Sequence, residues 1–157
     1  MKYFLTLLFL ILFKGIILSQ NITIKTLETL KDSKFNKIEN WAISNGFSYL
    51  RTENNNKYSL IYYEIININS LIIWLKEDGT ISVIDYQTKK SDQYLKLKNS
   101  CSNNGYKFIK TEKTNPLDEK SGFGNLYENS KYQLFFYTNN TAEYFGYAVS
   151  ITEKETR

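Results

Sequence analysis

The segment NGFSYLRTE at residues 45–53 recurs as NGYKFIKTE at residues 104–112. Every position keeps its residue or its chemical class except Ser48, which becomes Lys107. Ahead of each copy, apolar residues follow the i, i+3 and i+7 spacing of a helix face. These residues are Phe35, Ile38 and Ala42 in the first copy and Tyr94, Leu97 and Cys101 in the second. Each copy therefore predicts a helix, a glycine that ends it, and a strand.

A second similarity lies further along each copy. Residues 57–63, KYSLIYY, are echoed by residues 131–137, KYQLFFY, with an inserted loop ahead of the second strand. Two copies are too few to stack as a solenoid, so an internal duplication predicts one domain with pseudo-twofold symmetry. We place the domain at residues 20–157 and its two repeats at about residues 33–88 and 91–152.

Turn signals divide the rest of each copy into strands, and Asp78-Gly79 between two β-rich runs is the strongest hairpin signal. Residues 21–30 predict either a short helix or an irregular lead-in. Single helices followed by runs of antiparallel strands indicate an α+β fold, with both repeat helices on one face of a continuous sheet. The predicted helices are residues 34–44 and 91–103, and the predicted strands are residues 47–53, 57–66, 71–77, 80–88, 106–114, 126–129, 131–139 and 143–152.

Residues 1–19 have the features of a secretory signal peptide: a positive start at Lys2, an apolar run and an acceptable cleavage site. Lys14 and Gly15 interrupt the apolar stretch, which leaves it short for a membrane span. We therefore expect an exported protein, periplasmic or secreted. The alternative is an uncleaved segment that serves as the only contact with the membrane.

Composition limits the chemistry that this chain of 157 residues can perform. It contains no histidine and one cysteine, which excludes Ser-His-Asp and Cys-His arrangements, most zinc sites and an intramolecular disulfide. Cys101 is interpreted as a small buried residue on a helix. The formal charge is +4, to which Lys2 and Lys14 of the signal segment contribute, so charge gives no argument for a nucleic-acid partner. We expect no catalytic residue, cofactor or metal.

Carboxylates are the remaining candidates for catalysis. Glu53 and Glu112 occupy equivalent positions after the repeated strand, and a symmetric fold could bring them together as an acid and a base. Each follows a basic residue and a threonine at a charged strand end, which is typical of solvated surface. A carboxylate-based hydrolase of envelope glycans is therefore the alternative hypothesis, and it requires the two side chains to converge in a cleft.

The alternating side chains of the paired strands predict one covered and one open sheet face. Uniformly large residues are expected under the helices; these are Tyr58, Leu60 and Tyr62, matched by Tyr132, Leu134 and Phe136. The opposite face would carry a mixed set that includes aromatics, which could form a partner surface. The candidate partner residues are Ile61, Tyr63, Trp74, Phe135 and Tyr137. The alternative is that these residues are ordinary half-buried strand residues.

A duplicated helix-plus-meander unit in an exported chain resembles the architecture of the β-lactamase inhibitor protein type. The resemblance spans about residues 35–152 and implies tandem repeats that build a concave sheet and grip a partner. No motif permits transfer of individual residues, and this chain lacks the cysteines for the disulfides of that family. The chain is also similar to small exported proteins of Gram-negative bacteria, which implies an envelope location.

Together these observations favour a non-enzymatic module that binds a protein or peptide of the cell envelope. The missing catalytic residue types and the aromatics of the second sheet face support this hypothesis. A glycan hydrolase and a purely structural envelope protein remain as the alternatives.

Overall fold

The computed structural model describes residues 22–114, 122–140 and 145–154, with the side chains of 139, 140 and 145 left out. The predicted signal peptide lies outside these ranges. The helices are α1 (Ile24–Lys31), α2 (Phe35–Ser44) and α3 (Ser91–Asn99), and a 3-10 turn follows at Ser102–Asn104. The strands are β1 (Ser48–Asn54), β2 (Tyr58–Ile65), β3 (Asn69–Lys76), β4 (Ile81–Thr88), β5 (Lys107–Lys113), β6 (Phe123–Glu128), β7 (Tyr132–Asn140) and β8 (Phe145–Glu153).

All eight strands form one antiparallel sheet in the order β1-β2-β3-β4-β8-β7-β6-β5. The strands of each half make a meander, and β4 joins the halves by pairing with β8. The predicted α+β fold with a single antiparallel sheet is confirmed, and the helix Ile24–Lys31 is one of the two alternatives predicted for this segment. The largest difference in a strand end is at β6, which begins at Phe123 where residue 126 was predicted.

The two copies of the repeated segment have the same local structure. Gly46 and Gly105 both take positive φ angles, 81° and 77°, which glycine adopts without the steric cost that a side chain adds. The residue after each glycine donates its N–H to a carbonyl of the preceding helix end at 3.0 Å, Phe47 to Ala42 and Tyr106 to Cys101. The glycine after each helix therefore determines the direction in which the chain leaves the helix to enter the next strand.

The register of both outer strands shifts at the same position of the repeat. A β-bulge lies between Tyr49 and Arg51 in β1, and another lies between Phe108 and Lys110 in β5. A bulge adds a residue and increases the local twist of its strand. Both outer strands are thus irregular at corresponding places, while a common origin of the two halves by duplication stays a prediction.

The core lies between the sheet and the three described helices, which all pack on one face. Helices α1 and α3 contact β4 and β8, and α2 contacts β1. Apolar side chains at alternate strand positions bury this face because successive residues of a strand point to opposite sides. The sheet contributes Ile61, Tyr63, Leu71, Ile73, Ile84, Tyr86, Leu134, Phe136, Val149 and Ile151 to the core.

The predicted covered face is right for β7 and wrong for β2. Tyr132, Leu134 and Phe136 are buried in the core as expected. In β2 the opposite set points inward, so Tyr58, Leu60 and Tyr62 lie on the sheet face opposite the helices and not under them. The prediction treated the two strands as equivalent because their sequences are similar. The two strands are not equivalent, since β2 is the second strand of its half and β7 is the third.

Candidate functional site

The second face of the sheet carries large side chains on either side of a polar centre, and none of the three described helices packs on it. Cross-strand partners share a face, so the register identifies the residues of this face. One row crosses the sheet from edge to edge as Arg51, Tyr62, Ile72, Asp85, Ser150, Phe135, Leu126 and Lys110. We call this surface the second face.

The structure separates the five predicted partner residues. Trp74, Phe135 and Tyr137 lie on the second face, where all three are half-buried. Ile61 and Tyr63 lie on the helix side and are only 7% and 1% exposed, so their assignment to an open surface is wrong.

Tyr63 is also tied to the helix layer by a hydrogen bond, because its hydroxyl donates to Glu39 Oε1 of α2 at 3.2 Å. A tyrosine in this position contributes packing and one helix contact. It therefore takes no part in the candidate binding surface.

Aromatic rings on the second face pack against one another. The Phe135 ring stacks on Tyr137 with centroids 5.5 Å apart and an interplanar angle of 25°. This arrangement needs Gly124 on β6, because a Cβ there would lie 2.8 Å from Phe135 Cε1. On the other half of the face, Trp74 meets Tyr58 edge to face at 5.7 Å. The rings are thus held in place by their contacts with one another.

Asp85 occupies the centre of the second face and is only 6% exposed. Its carboxyl accepts hydrogen bonds from the Tyr137 hydroxyl at 2.9 Å, the Ser150 hydroxyl at 3.2 Å and Gln87 Nε2 at 3.2 Å. All three donors are neutral. Burial raises the pKa of Asp85, and the three hydrogen bonds oppose that rise. The same burial, together with the charge of Asp85, raises the pKa of Tyr137.

The sequence analysis missed this buried polar centre, although β4 contains a signal for it. Apolar Ile84 and Tyr86 alternate there with Asp85 and Gln87, in the middle of a strand and away from any turn. A carboxyl in that position needs hydrogen-bond donors from neighbouring strands. The sequence alone does not identify Tyr137 and Ser150 as those donors, because they come from distant parts of the chain.

The structure does not bring Glu53 and Glu112 together. They lie on β1 and β5, the two outer strands, with six strands between them. At about 4.8 Å per strand spacing, the path along the sheet is roughly 34 Å. Each carboxylate instead contacts a basic residue of its own strand at 2.6 Å, Glu53 with Arg51 and Glu112 with Lys110.

The electrostatics of Glu53 are also unsuited to an acid catalyst. Its hydrogen bonds with Arg51 and Tyr62 lower the pKa of Glu53, whereas a general acid at neutral pH needs a raised pKa. The paired-carboxylate arrangement of the hydrolase hypothesis is therefore wrong for these two residues.

Other chemistry is sparse in the part of the chain that the structure describes. Within residues 22–114, 122–140 and 145–154, no three His, Cys, Asp or Glu side chains are grouped so that they could hold a metal ion. Cys101 is buried, as expected, and burial raises the pKa of its thiol to about 12. Among the described helices, none has both the length and the apolar character that a membrane span requires.

No family model, no curated protein and no solved structure matches the chain.

Proposed function

We propose that this protein is a non-enzymatic module that binds a protein or peptide of the cell envelope through the second face of its sheet. The observation that carries the proposal is the two preformed aromatic pairs of this face, Trp74 with Tyr58 and Phe135 with Tyr137. These side chains lie on the face opposite the described helices. Large apolar side chains in such a position mark partner surfaces in many proteins.

The distribution of charge on this face also suits a protein partner. Aromatic pairs lie on either side of the polar Asp85 centre, and ion pairs lie near both outer strands, Arg51 with Glu53 and Lys110 with Glu112. Protein interfaces commonly combine aromatic contact residues with hydrogen-bonding groups and a polar rim. Arg51 also lies over the Tyr62 ring, 4.2 Å from its centroid, which holds one side of the rim in place.

The remaining parts of the proposal follow from the sequence. The signal segment supports export to the periplasm or the exterior, with membrane contact only through that segment if it stays uncleaved. We propose no cofactor and no nucleic-acid partner. A purely structural envelope role is the second candidate, and it predicts that changes to the second face leave all binding unaltered.

The experiment compares binding by the wild type with a Trp74→Ser/Phe135→Ser variant. The control variant is Tyr49→Ser/Phe108→Ser, which alters exposed aromatics of the outer strands on the helix side. Each mature protein captures partners from an envelope extract, and thermal unfolding verifies that both variants are folded. A protein retained by the wild type and the control, but lost by the second-face variant, is the expected result.

A direct measurement then tests whether that partner contacts the second face. In a Trp41→Phe background, Trp74 is the single tryptophan, and its fluorescence should change saturably when the purified partner is added. Loss of the partner from both double variants, or no response from Trp74, would contradict the proposal.

A further inference from the structure

A polar cleft of about 1070 Å³ lies at one end of the sheet, where β4 begins at Ile81 and β8 ends at Glu153. The turns that carry Thr80 and Ser130 flank it on either side. Ligand sites in proteins are commonly 300–1,000 Å³ in volume, so the cleft is large enough for a ligand of several rings.

Lys31 gives the cleft its most unusual feature. It is the last residue of α1 and lines the cleft, yet its side chain is only 3% exposed. Its one ion pair among the described residues is with Glu153 Oε1 at 3.6 Å, which exceeds hydrogen-bond length. At this distance the ammonium group keeps donors that an acceptor from a ligand in the cleft can engage more closely.

Glu153 is a weak partner for the ammonium group of Lys31. Its side chain is 65% exposed, so water competes for the carboxylate and the side chain is free to turn outward. An external carboxylate could approach Lys31 more closely and replace it. The second glutamate of the cleft, Glu128, is held by Lys154 at 2.8 Å. Lys76 adds a further positive charge, so the described residues of the lining include three lysines and two glutamates.

The other lining groups indicate the chemistry of the rest of the ligand. Ser82, Gln133 and Thr152 offer hydroxyl and amide groups, and Tyr58 adds a ring with a hydroxyl. Ile81 is the one aliphatic residue among the described lining residues. Such a surface offers little to an apolar peptide side chain. It suits a ligand with many hydroxyl groups, for which hydrogen bonds replace those made with water.

We propose that this cleft binds an acidic saccharide, with the carboxylate of the sugar placed beside Lys31 and its hydroxyls on the polar lining. The cleft meets the second face at Tyr58, Gln133 and Thr152, whereas Lys31 and Glu153 lie on the helix side, so variants of these two residues test the sugar site without altering the second face. Binding is non-covalent, and Glu153 moves towards solvent when the sugar carboxylate takes its place.

The test uses tri-galacturonic acid as the probe, maltotriose as a neutral sugar of similar size and inorganic phosphate as an anion without hydroxylated rings. Amide chemical shifts of the labelled protein are followed by NMR during each titration. Tri-galacturonate should shift the signals of Ser82, Gln133 and Thr152 saturably. Equal affinity for maltotriose or for phosphate, or no saturable shift with tri-galacturonate, would overturn the proposal.

Substitutions of the charged residues test whether the carboxylate of the sugar binds beside Lys31. Lys31→Met should weaken tri-galacturonate binding at least about tenfold, since it removes a charge-assisted hydrogen bond. Lys25→Met is the matched control on the same helix, where the side chain is 81% exposed, and it should bind like the wild type. Glu153→Gln should bind equally well or more tightly because it removes the competing carboxylate. Equal loss in both lysine variants, or weaker binding by Glu153→Gln, would exclude the role given to Lys31.

Discussion

The Tyr137 hydroxyl on β7 donates a 2.9 Å hydrogen bond to Asp85 on β4, across the intervening strand β8. Ala148 of β8 pairs with both Gln87 and Tyr137, and its small side chain leaves room for the tyrosine to reach over the strand. The bond therefore links β4 of the first half directly to β7 of the second half, whereas backbone hydrogen bonds join only adjacent strands.

The buried carboxyl makes stability depend on pH, and Asp85→Asn should remove that dependence. Burial raises the folded-state pKa of Asp85 above its ordinary value of 3.8. The protonated carboxyl therefore makes its full contribution to stability below pH 3.8, and this contribution is lost as the pH rises through the folded-state pKa. At neutral pH we expect the asparagine variant to be more stable by roughly 1–3 kcal/mol, measured as the free energy of urea unfolding between pH 3 and 8. The difference should shrink in acid.

Asp78→Asn provides a control of opposite sign. The backbone N–H of Thr80 donates to Asp78 at 2.8 Å and lowers the pKa of that carboxyl. Its stabilising effect is present above the unfolded pKa and is lost as the pH falls. Asp78→Asn should thus lose stability at neutral pH and match the wild type in acid. The interpretation of Asp85 fails if its variant shows the same pH dependence as Asp78→Asn.

Gly124→Ala should destabilise the protein by about 1–3 kcal/mol, because the added methyl group overlaps the Phe135 ring and displaces it from Tyr137. Gly122→Ala is the matched control, since its nearest atom would lie at an ordinary 3.6 Å. Thermal unfolding of both variants measures the difference. Equal melting temperatures for the two variants would contradict the prediction, because the Phe135 ring would then move aside without loss of stability.

Alanine should destabilise the protein to a similar extent at Gly46 and at Gly105, the glycines that follow the two repeat helices. Gly46→Ala and Gly105→Ala each place a side chain at positive φ, which costs roughly 1–2 kcal/mol for an L-residue. At Gly105 no atom lies within 4 Å of the added Cβ, so the loss there reports backbone conformation alone. Asparagine tolerates this conformation better, and Gly105→Asn should recover part of the loss. The free energy of chemical unfolding should be highest with glycine at residue 105, lower with asparagine and lowest with alanine. Equal losses of this free energy for alanine and asparagine would refute the prediction.

Cys101 should be inert in the folded protein. Burial raises the pKa of its thiol to about 12, so almost no thiolate forms at pH 8 and the reagent has no access. An aromatic disulfide reagent should modify the native protein only as fast as it unfolds, and should modify the protein in guanidinium at once. Rapid labelling without denaturant would contradict the burial of this residue.

Much of the fold can be predicted from local patterns. The glycine stops at Gly46 and Gly105 and the Asp78-Gly79 turn each specify a conformation through their own chemistry, and the structure has all three. The covered face of β7 is equally clear. In β2 both alternating sets are large and apolar, Leu60 and Tyr62 against Ile61 and Tyr63, so periodicity could not decide which set points inward.

The candidate sites depend on contacts between distant parts of the chain. The donors to Asp85 come from β7 and β8, and the cleft combines Lys31 with residues of the last strand. Strand order creates these neighbours, and no local spacing encodes strand order. The sequence therefore indicated Trp74, Phe135 and Tyr137 through their residue type, and it contained Asp85 as a polar residue in mid-strand without showing which residues surround it.

The bulges of β1 and β5 also affect behaviour at high concentration. A regular outer strand offers a row of free N–H and C=O groups to which another chain can add, and such addition can continue into fibrils. At each edge of this sheet the row is broken within the strand, beside Arg51 on one side and Lys110 on the other. We therefore expect the two irregular strands to disfavour polymerisation, and we expect removal of the extra residue from either bulge to favour fibril growth.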